Sequence, residues 1–377
     1  MALLRVEDDQ LIVPEEHGGS RGTSYHYVET DEGLAHIATM KGIISRVLGT
    51  SRGGRRKYCE YKVPLELVSG KHLFAFSFSN SGYFFVRRYV VTGSSVMDLG
   101  FELATEETTY LAKKFKVIGG EKPWMDLFTA YAPTMVEETK RIVSSHGAEL
   151  SFLGHAARTE DQFKNPYLAL MAAMSNPTWQ GRQKSLEQYL QTAHELWSVA
   201  QTTEAIKGKT IEPSHNNKPF WWIEWASDHA TAIQESPYGI FTLWYQFTLI
   251  PQITVVGLKI FGEVSRDVTL HVRPDIAVFK GKFERREQLT AFKPSALIID
   301  AKLEIKDKDL EQLMGYNNVF SKHFKKCHFV VACLRQIPPY LNRRLDEIGW
   351  KGIEDVRPGS GGLAKFKEVI QSLIVNL

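Results

Sequence analysis

The sequence predicts an α+β chain: a β-rich segment, a helical segment, then a C-terminal α/β part with a mixed sheet and helices on both faces. Three observations carry this. Aromatic and β-branched residues cluster in short runs up to about residue 115. Apolar residues then recur at three- and four-residue steps between Trp124 and Lys207. From residue 218 onward, strand-like and helix-like runs alternate. At 377 residues the chain exceeds one typical domain. The expected division is 1–207 and 218–377, across the polar stretch from Glu204 to Lys218 with Gly208 and Pro213.

Taken in order, Tyr58 to Val63, His72 to Phe78 and Tyr83 to Val91 read as strands, the last two joined by the turn Ser79-Asn80-Ser81-Gly82. Leu186, Tyr189, Leu190, Ala193, Leu196 and Trp197 form one buried helix face. Tyr238 to Leu249 is apolar and of helix length, ended by Pro251. Thr254 to Phe261 and Val268 to Phe279 read as strands, and Ser295 to Ala301 as a central buried one. Asp307 or Asp309 caps a helix to about Phe320. Cys327 to Leu334 is a strand, Pro339 to Ile348 a helix, Gly352 to Val356 a short strand and Leu363 to Val375 a final helix.

Composition narrows the function classes. Hydrophobic and charged fractions of 43% and 24% are ordinary globular values. A net charge of +3 permits a polyanionic partner without announcing one. No run approaches the roughly 18 apolar residues of a membrane span, and acids at Glu7, Asp8 and Asp9 stand where a signal peptide carries its apolar core. Cys59, Cys327 and Cys333 are odd in number and lack C-x-x-C spacing. Free buried thiols in a reducing cytoplasm are therefore expected.

The chemistry concentrates in Arg273-Pro274-Asp275-Ile276 and Ile299-Asp300-Ala301-Lys302. Asp300 and Lys302 are two apart, so on a strand they share a face. Asp275 and Asp300, converging from neighbouring strands, suit a hard divalent cation such as Mg²⁺ or Mn²⁺. Lys302 beside it can orient water and offset phosphate charge. Each residue alone also has an ordinary explanation, as a strand-edge turn or a surface ion pair. Asp300, however, ends a buried run, where an acid needs a partner or a metal.

From about residue 236 to the end, this pattern resembles the PD-(D/E)XK nuclease superfamily, which includes restriction endonucleases. The resemblance implies a restriction-endonuclease-like αβββαβ core, with Asp275 on its second strand and Asp300 and Lys302 on its third. It implies a Mg²⁺- or Mn²⁺-dependent DNA endonuclease with Asp275, Asp300 and Lys302 as catalytic residues. Gln312 and Tyr316, four apart on one helix face, resemble the Q-x-x-x-Y element of RecB-like and Cas4-like members and would support the site. Asp309 to Gln312 with Gly315-Tyr316 further resembles the McrC-type restriction subgroup. That likeness implies a restriction or anti-phage defence role and a separate nucleotide-hydrolysing subunit, since the chain has no G-x-x-x-x-G-K-[ST] loop.

Many members add an acid from the first core helix, but Tyr238 to Leu249 contains none. Glu235 is favoured, with Glu224 and Glu263 as alternatives. Without any of them, the metal set reduces to Asp275, Asp300 and the Ala301 main-chain carbonyl. For nucleic-acid contacts the candidates are Arg55, Arg56 and Lys57 in a basic loop that also includes Arg46 and Arg52, and Lys322, Lys325 and Lys326 around the helix after Lys302. Phe220-Trp221-Trp222 and Trp225 are assigned to core packing. Double-strand cutting would favour a homodimer. The competing class is a non-catalytic nucleic-acid-binding scaffold on a decayed nuclease fold, marked by salt-dependent binding without cleavage.

Overall fold

The computed structural model describes residues 4–17, 23–31, 33–50, 57–78, 84–100, 123–160, 179–258 and 266–377, with 163, 166, 169 and 173 as single positions. The fold is α+β, with antiparallel and mixed sheets. It divides into two compact units, Met1–Thr129 with Lys164–Tyr189, and Ala130–Phe163 with Leu190–Leu377. Among the described residues no helix is long and apolar enough to cross a membrane.

The first unit holds an antiparallel sheet of nine strands. They are β1 (Arg5–Glu7), β2 (Gln10–His17), β3 (Thr23–Thr30), β4 (Gly33–His36), β5 (Ile44–Thr50), β6 (Lys57–Pro64), β7 (His72–Phe78), β8 (Phe84–Thr92) and β9 (Ser95–Asp98), with the one-turn helix α1 (Leu65–Val68) after β6. The order is β5-β6-β2-β3-β7-β8-β9, with β1 added on β2 and β4 on β3. Leu11, Val13, Val28, Ile37, Val63, Leu73 and Val91 form its core. The three strands expected here are β6, β7 and β8. The turn at 79–82 lies outside the described residues.

The second unit begins within α2 (Pro123–Ser145) and continues through β10 (Glu149–Phe152) and, from Leu190, the long helix α3 (Trp179–Ile206). Strands β11 (Lys209–Glu212), β12 (Ser214–His215), β13 (Lys218–Ile223), β14 (Ala232–Ser236), β15 (Gly239–Tyr245), β16 (Ile250–Leu258), β17 (Arg266–Val272) and β18 (Ile276–Lys280) follow. The chain ends with α4 (Arg286–Phe292), β19 (Ala296–Lys302), α5 (Asp307–His323), β20 (Cys327–Cys333), α6 (Pro339–Glu347), β21 (Lys351–Ile353) and α7 (Gly361–Val375). The main sheet runs β11-β14-β15-β18-β19-β20-β21. It is antiparallel from β11 to β19 and parallel from β19 to β21. Ile298, Phe279, Trp244 and Val331 pack on Leu310, Leu313, Tyr316 and Phe320 of α5.

Three expectations are corrected. Gly239–Tyr245 is a strand, not a helix: Phe241 to Tyr245 are buried on both faces, and a central strand and a buried helix leave the same unbroken apolar run. The run Val268 to Phe279 is two strands, because Pro274 cannot donate to a ladder; β17 pairs with β16 as a separate ribbon. The polar stretch at 208–217 is no boundary. It contains β11, which joins the main sheet beside β14.

Candidate active site

The register of the central strands builds the site. Ile276 pairs with Ile299 and with Tyr245, so one residue further on Asp275 lies opposite Asp300 on one side and Gln246 on the other. The Gln246 amide accordingly donates to the Asp275 carbonyl at 2.7 Å. Two acids thus face each other across adjacent strand ends, a like-charge pair that disfavours the fold unless something neutralises it. Asp275 Oδ2 accepts the Ala301 amide at 2.8 Å. Asp300 is 1% exposed. Its Oδ2 lies 2.9 Å from Lys302 Nζ in an ion pair, and Oδ1 has no hydrogen-bond partner.

Lys302 is oriented from α5. Its ammonium donates to Gln312 Oε1 at 3.3 Å, Gln312 Nε2 donates to Tyr316 OH at 2.6 Å, and that hydroxyl donates to the Arg273 carbonyl at 2.9 Å. The relay ties the lysine to the backbone two residues before Asp275. Gln312 and Tyr316 lie one turn apart on α5, Gln312 against Lys302 and Tyr316 behind Gln312. The Arg273 side chain is exposed.

A fourth ionisable group joins the set: Glu195 of α3, 6% exposed. Its Oε2 accepts from Tyr245 OH at 2.9 Å and Gln246 Nε2 at 3.0 Å, and its Oε1 from Gln191 Nε2 at 3.0 Å. Sequence reasoning missed it because the helix that carries it was assigned to the other part of the chain. Gln191 and Glu195, four apart and polar beside the apolar stripe of that helix, were the available signal.

The electrostatics follow from this crowding. Burial, then repulsion from Glu195 and Asp300, holds the Asp275 carboxyl well above its ordinary range. Burial raises Glu195 too, against the hydrogen bonds from Gln191, Gln246 and Tyr245 and the pull of Lys302. Burial works against the Lys302 ammonium, but Asp300 and Asp275 outweigh it and keep it charged. Three carboxylates share one lysine. With all three ionised, such a set carries more negative than positive charge.

The donors fit a hard divalent cation in a limited way. Asp300 Oδ1 is a buried oxygen without a partner, with Asp275 across from it and the Ala301 carbonyl next in sequence. Among the described residues no three His, Cys, Asp or Glu side chains gather closely enough to hold a metal by themselves. The oxygens that meet here are those of Asp275 and Asp300 and the Ala301 carbonyl.

Other expected positions fall elsewhere. Glu235 is exposed on β14 and pairs with Ile240, five residues along β15 from Tyr245, about 17 Å at the strand rise. It is not a ligand of this site. Glu224 accepts from Trp222 Nε1 and Ser227 Oγ, and Glu263 lies outside the described residues. Lys326 sits beside the first residue of β19, its carbonyl accepting the Ala296 amide. It and the exposed Lys322 and Lys325 thus lie at the strand end opposite Asp300. Lys57 opens β6 in the first unit; Arg55 and Arg56 lie outside the described residues. Trp221 is fully buried, as expected of core, whereas Trp225 is 39% exposed. Cys59 and Cys333 are buried thiols outside any disulfide, and Cys327 is a half-buried one.

No family model and no curated protein matches the chain. Among solved structures it is similar to the crystal structure of protein VC1899 from Vibrio cholerae, at 10% identity and a TM-score of 0.25. The alignment covers 75% of this chain and 63% of that one, so the chain spans less than two thirds of that protein. A superposition this loose does not define a shared fold.

Proposed function

We propose that the second unit is a metal-dependent nuclease of the PD-(D/E)XK type, hydrolysing phosphodiester bonds in DNA, with a role in restriction or anti-phage defence. The observation that carries this is the cross-strand pairing of Asp275 with a buried, incompletely partnered Asp300, with Lys302 on the same strand face. The element order supports it: helix α3, the antiparallel trio β15, β18 and β19, helix α5, then β20 parallel to β19.

Asp275, Asp300 and the Ala301 carbonyl would hold Mg²⁺ or Mn²⁺, which when bound supplies Lewis acidity and lowers the pKa of water. Lys302, kept protonated by its two acidic neighbours, balances charge on a non-bridging phosphate oxygen as water adds to phosphorus. The bond from phosphorus to the leaving sugar oxygen breaks, giving a phosphomonoester and a hydroxyl. Gln312 and Tyr316 hold the ammonium in place during this step. The smallness of the acid set favours one alternative, a nucleic-acid-binding scaffold on a nuclease-like fold.

Cleavage of supercoiled plasmid and single-stranded DNA with Mg²⁺ or Mn²⁺ separates the two. The nuclease cuts as wild type and loses about 10³-fold in rate as Lys302→Ala. Cutting that survives in the variant removes this site from the reaction. Salt-dependent DNA binding without cutting by either protein supports the scaffold.

A further inference from the structure

We infer that Gln191 is a positioning residue for the cation site, using both hydrogens of its amide to fix Glu195 and the Ala301 carbonyl relative to each other. This rests on the proposed reading of Asp275, Asp300 and Ala301 as cation donors. The geometry is specific. Gln191 Nε2 donates to Glu195 Oε1 at 3.0 Å and to Ala301 O at 2.6 Å. An amide nitrogen has two hydrogens, so this donor capacity is exhausted by the two contacts.

The acceptors are not interchangeable surface oxygens. Ala301 lies between Asp300 and Lys302, and its carbonyl accepts along one lone pair from Gln191, leaving the other for a cation. Glu195 is bound on its second oxygen by Tyr245 and Gln246, residues that stand next to Asp275 across the sheet. Gln191 therefore joins two rigid elements, α3 and β19, at the one peptide that carries both site side chains as neighbours. Partners of this kind, which hold a ligand rather than bind the metal, commonly change affinity by about 10–100-fold when removed. The contact spans 110 residues of sequence, so local chain geometry does not impose it.

The test is Mn²⁺ binding by calorimetry on the full-length protein, with no turnover involved. Gln191→Met keeps the volume and removes both donors; Gln191→Ala is the second variant, and Asp275→Asn the control that deletes a ligand. We expect the Mn²⁺ Kd to rise about 10–100-fold in both Gln191 variants, with the metal-free proteins folded and their melting temperatures lowered by the two lost hydrogen bonds. An unchanged Kd in folded Gln191→Met, while Asp275→Asn loses binding, overturns the role of Gln191 and leaves the cation site standing. A lowered metal-free melting temperature with unchanged Kd assigns Gln191 to packing and overturns it equally. No saturable Mn²⁺ binding by wild type overturns the site and the inference together.

Discussion

Each unit buries acid side chains, and they are accommodated in opposite ways. In the first unit Glu15 is 2% exposed, yet both its oxygens are answered: Oε1 by the His26 amide at 2.6 Å and Oε2 by His36 Nε2 at 3.3 Å. Burial alone would raise its carboxyl, but the hydrogen bonds from His26 and His36 outweigh it, and the value falls to about 2. In the second unit Asp300 keeps an unanswered oxygen, and burial with two neighbouring carboxylates drives Asp275 upward. A satisfied buried acid stabilises the fold. An acid cluster short of donors opposes it and persists where a ligand completes it. The first arrangement is that of a structural acid, and the second is the one expected of the site proposed above.

Removing each acid therefore has opposite signs. Glu15→Ala strips the acceptor from a buried amide and a histidine and is expected to destabilise by about 3 kcal/mol, read as a shift in urea midpoint. Asp275→Asn keeps the acceptor for the Ala301 amide while deleting the repelled charge. Without added metal it is expected to be neutral or stabilising by about 1 kcal/mol at pH 7. Loss of stability in Asp275→Asn comparable to that of Glu15→Ala would erase the distinction.

The pH dependence sharpens the contrast. Glu15 is lowered from 4.5 to about 2, so its contribution is complete above about pH 4.5 and disappears as pH falls towards 2. Asp275 is raised above 3.8, so the folded chain keeps its proton longer than the unfolded one. Its contribution is complete below about pH 3.8 and declines as pH rises through the elevated folded value. Melting curves across pH 2 to 8 should show the Glu15→Ala deficit shrinking at the acid end. The Asp275→Asn gain should instead grow with pH. Parallel curves for wild type and both variants would contradict the assignment.

The same comparison explains what the sequence discloses. Asp275, Asp300 and Lys302 were legible because strand alternation and a one-residue spacing determine which side chains meet. Gln312 and Tyr316 were legible for the helical equivalent of that reason. The strand Gly239–Tyr245 was not, since an apolar segment buried on both faces carries no period. That misassignment hid Glu195 as well: once residues 238–249 were read as the first helix, the acid was sought beside them at Glu235. Glu195 lies 50 residues before Tyr245, and only the packing of α3 against the strand ends brings them together. The nine-stranded sheet was partly legible from β6, β7 and β8. The pairing of Glu15 with His26 and His36 is set by cross-strand register, which composition does not reveal.

The smallest effect tests whether the relay behind Lys302 belongs to the site or to the core. Tyr316 is 1% exposed and packs against Phe320 and Trp350, so its ring is core while its hydroxyl receives Gln312 and donates to the Arg273 carbonyl. Tyr316→Phe keeps the ring and removes the hydroxyl, leaving the Gln312 amide and the carbonyl without that partner. If the relay positions Lys302, metal-dependent cleavage should fall about 5- to 10-fold in kcat with KM unchanged, equivalent to about 1 kcal/mol in the transition state. Stability should fall by a similar amount, the usual net worth of one hydrogen bond. A stability loss with full kcat would place the hydroxyl with Glu15, among polar groups that hold the fold. It would leave Gln312 alone to orient the lysine.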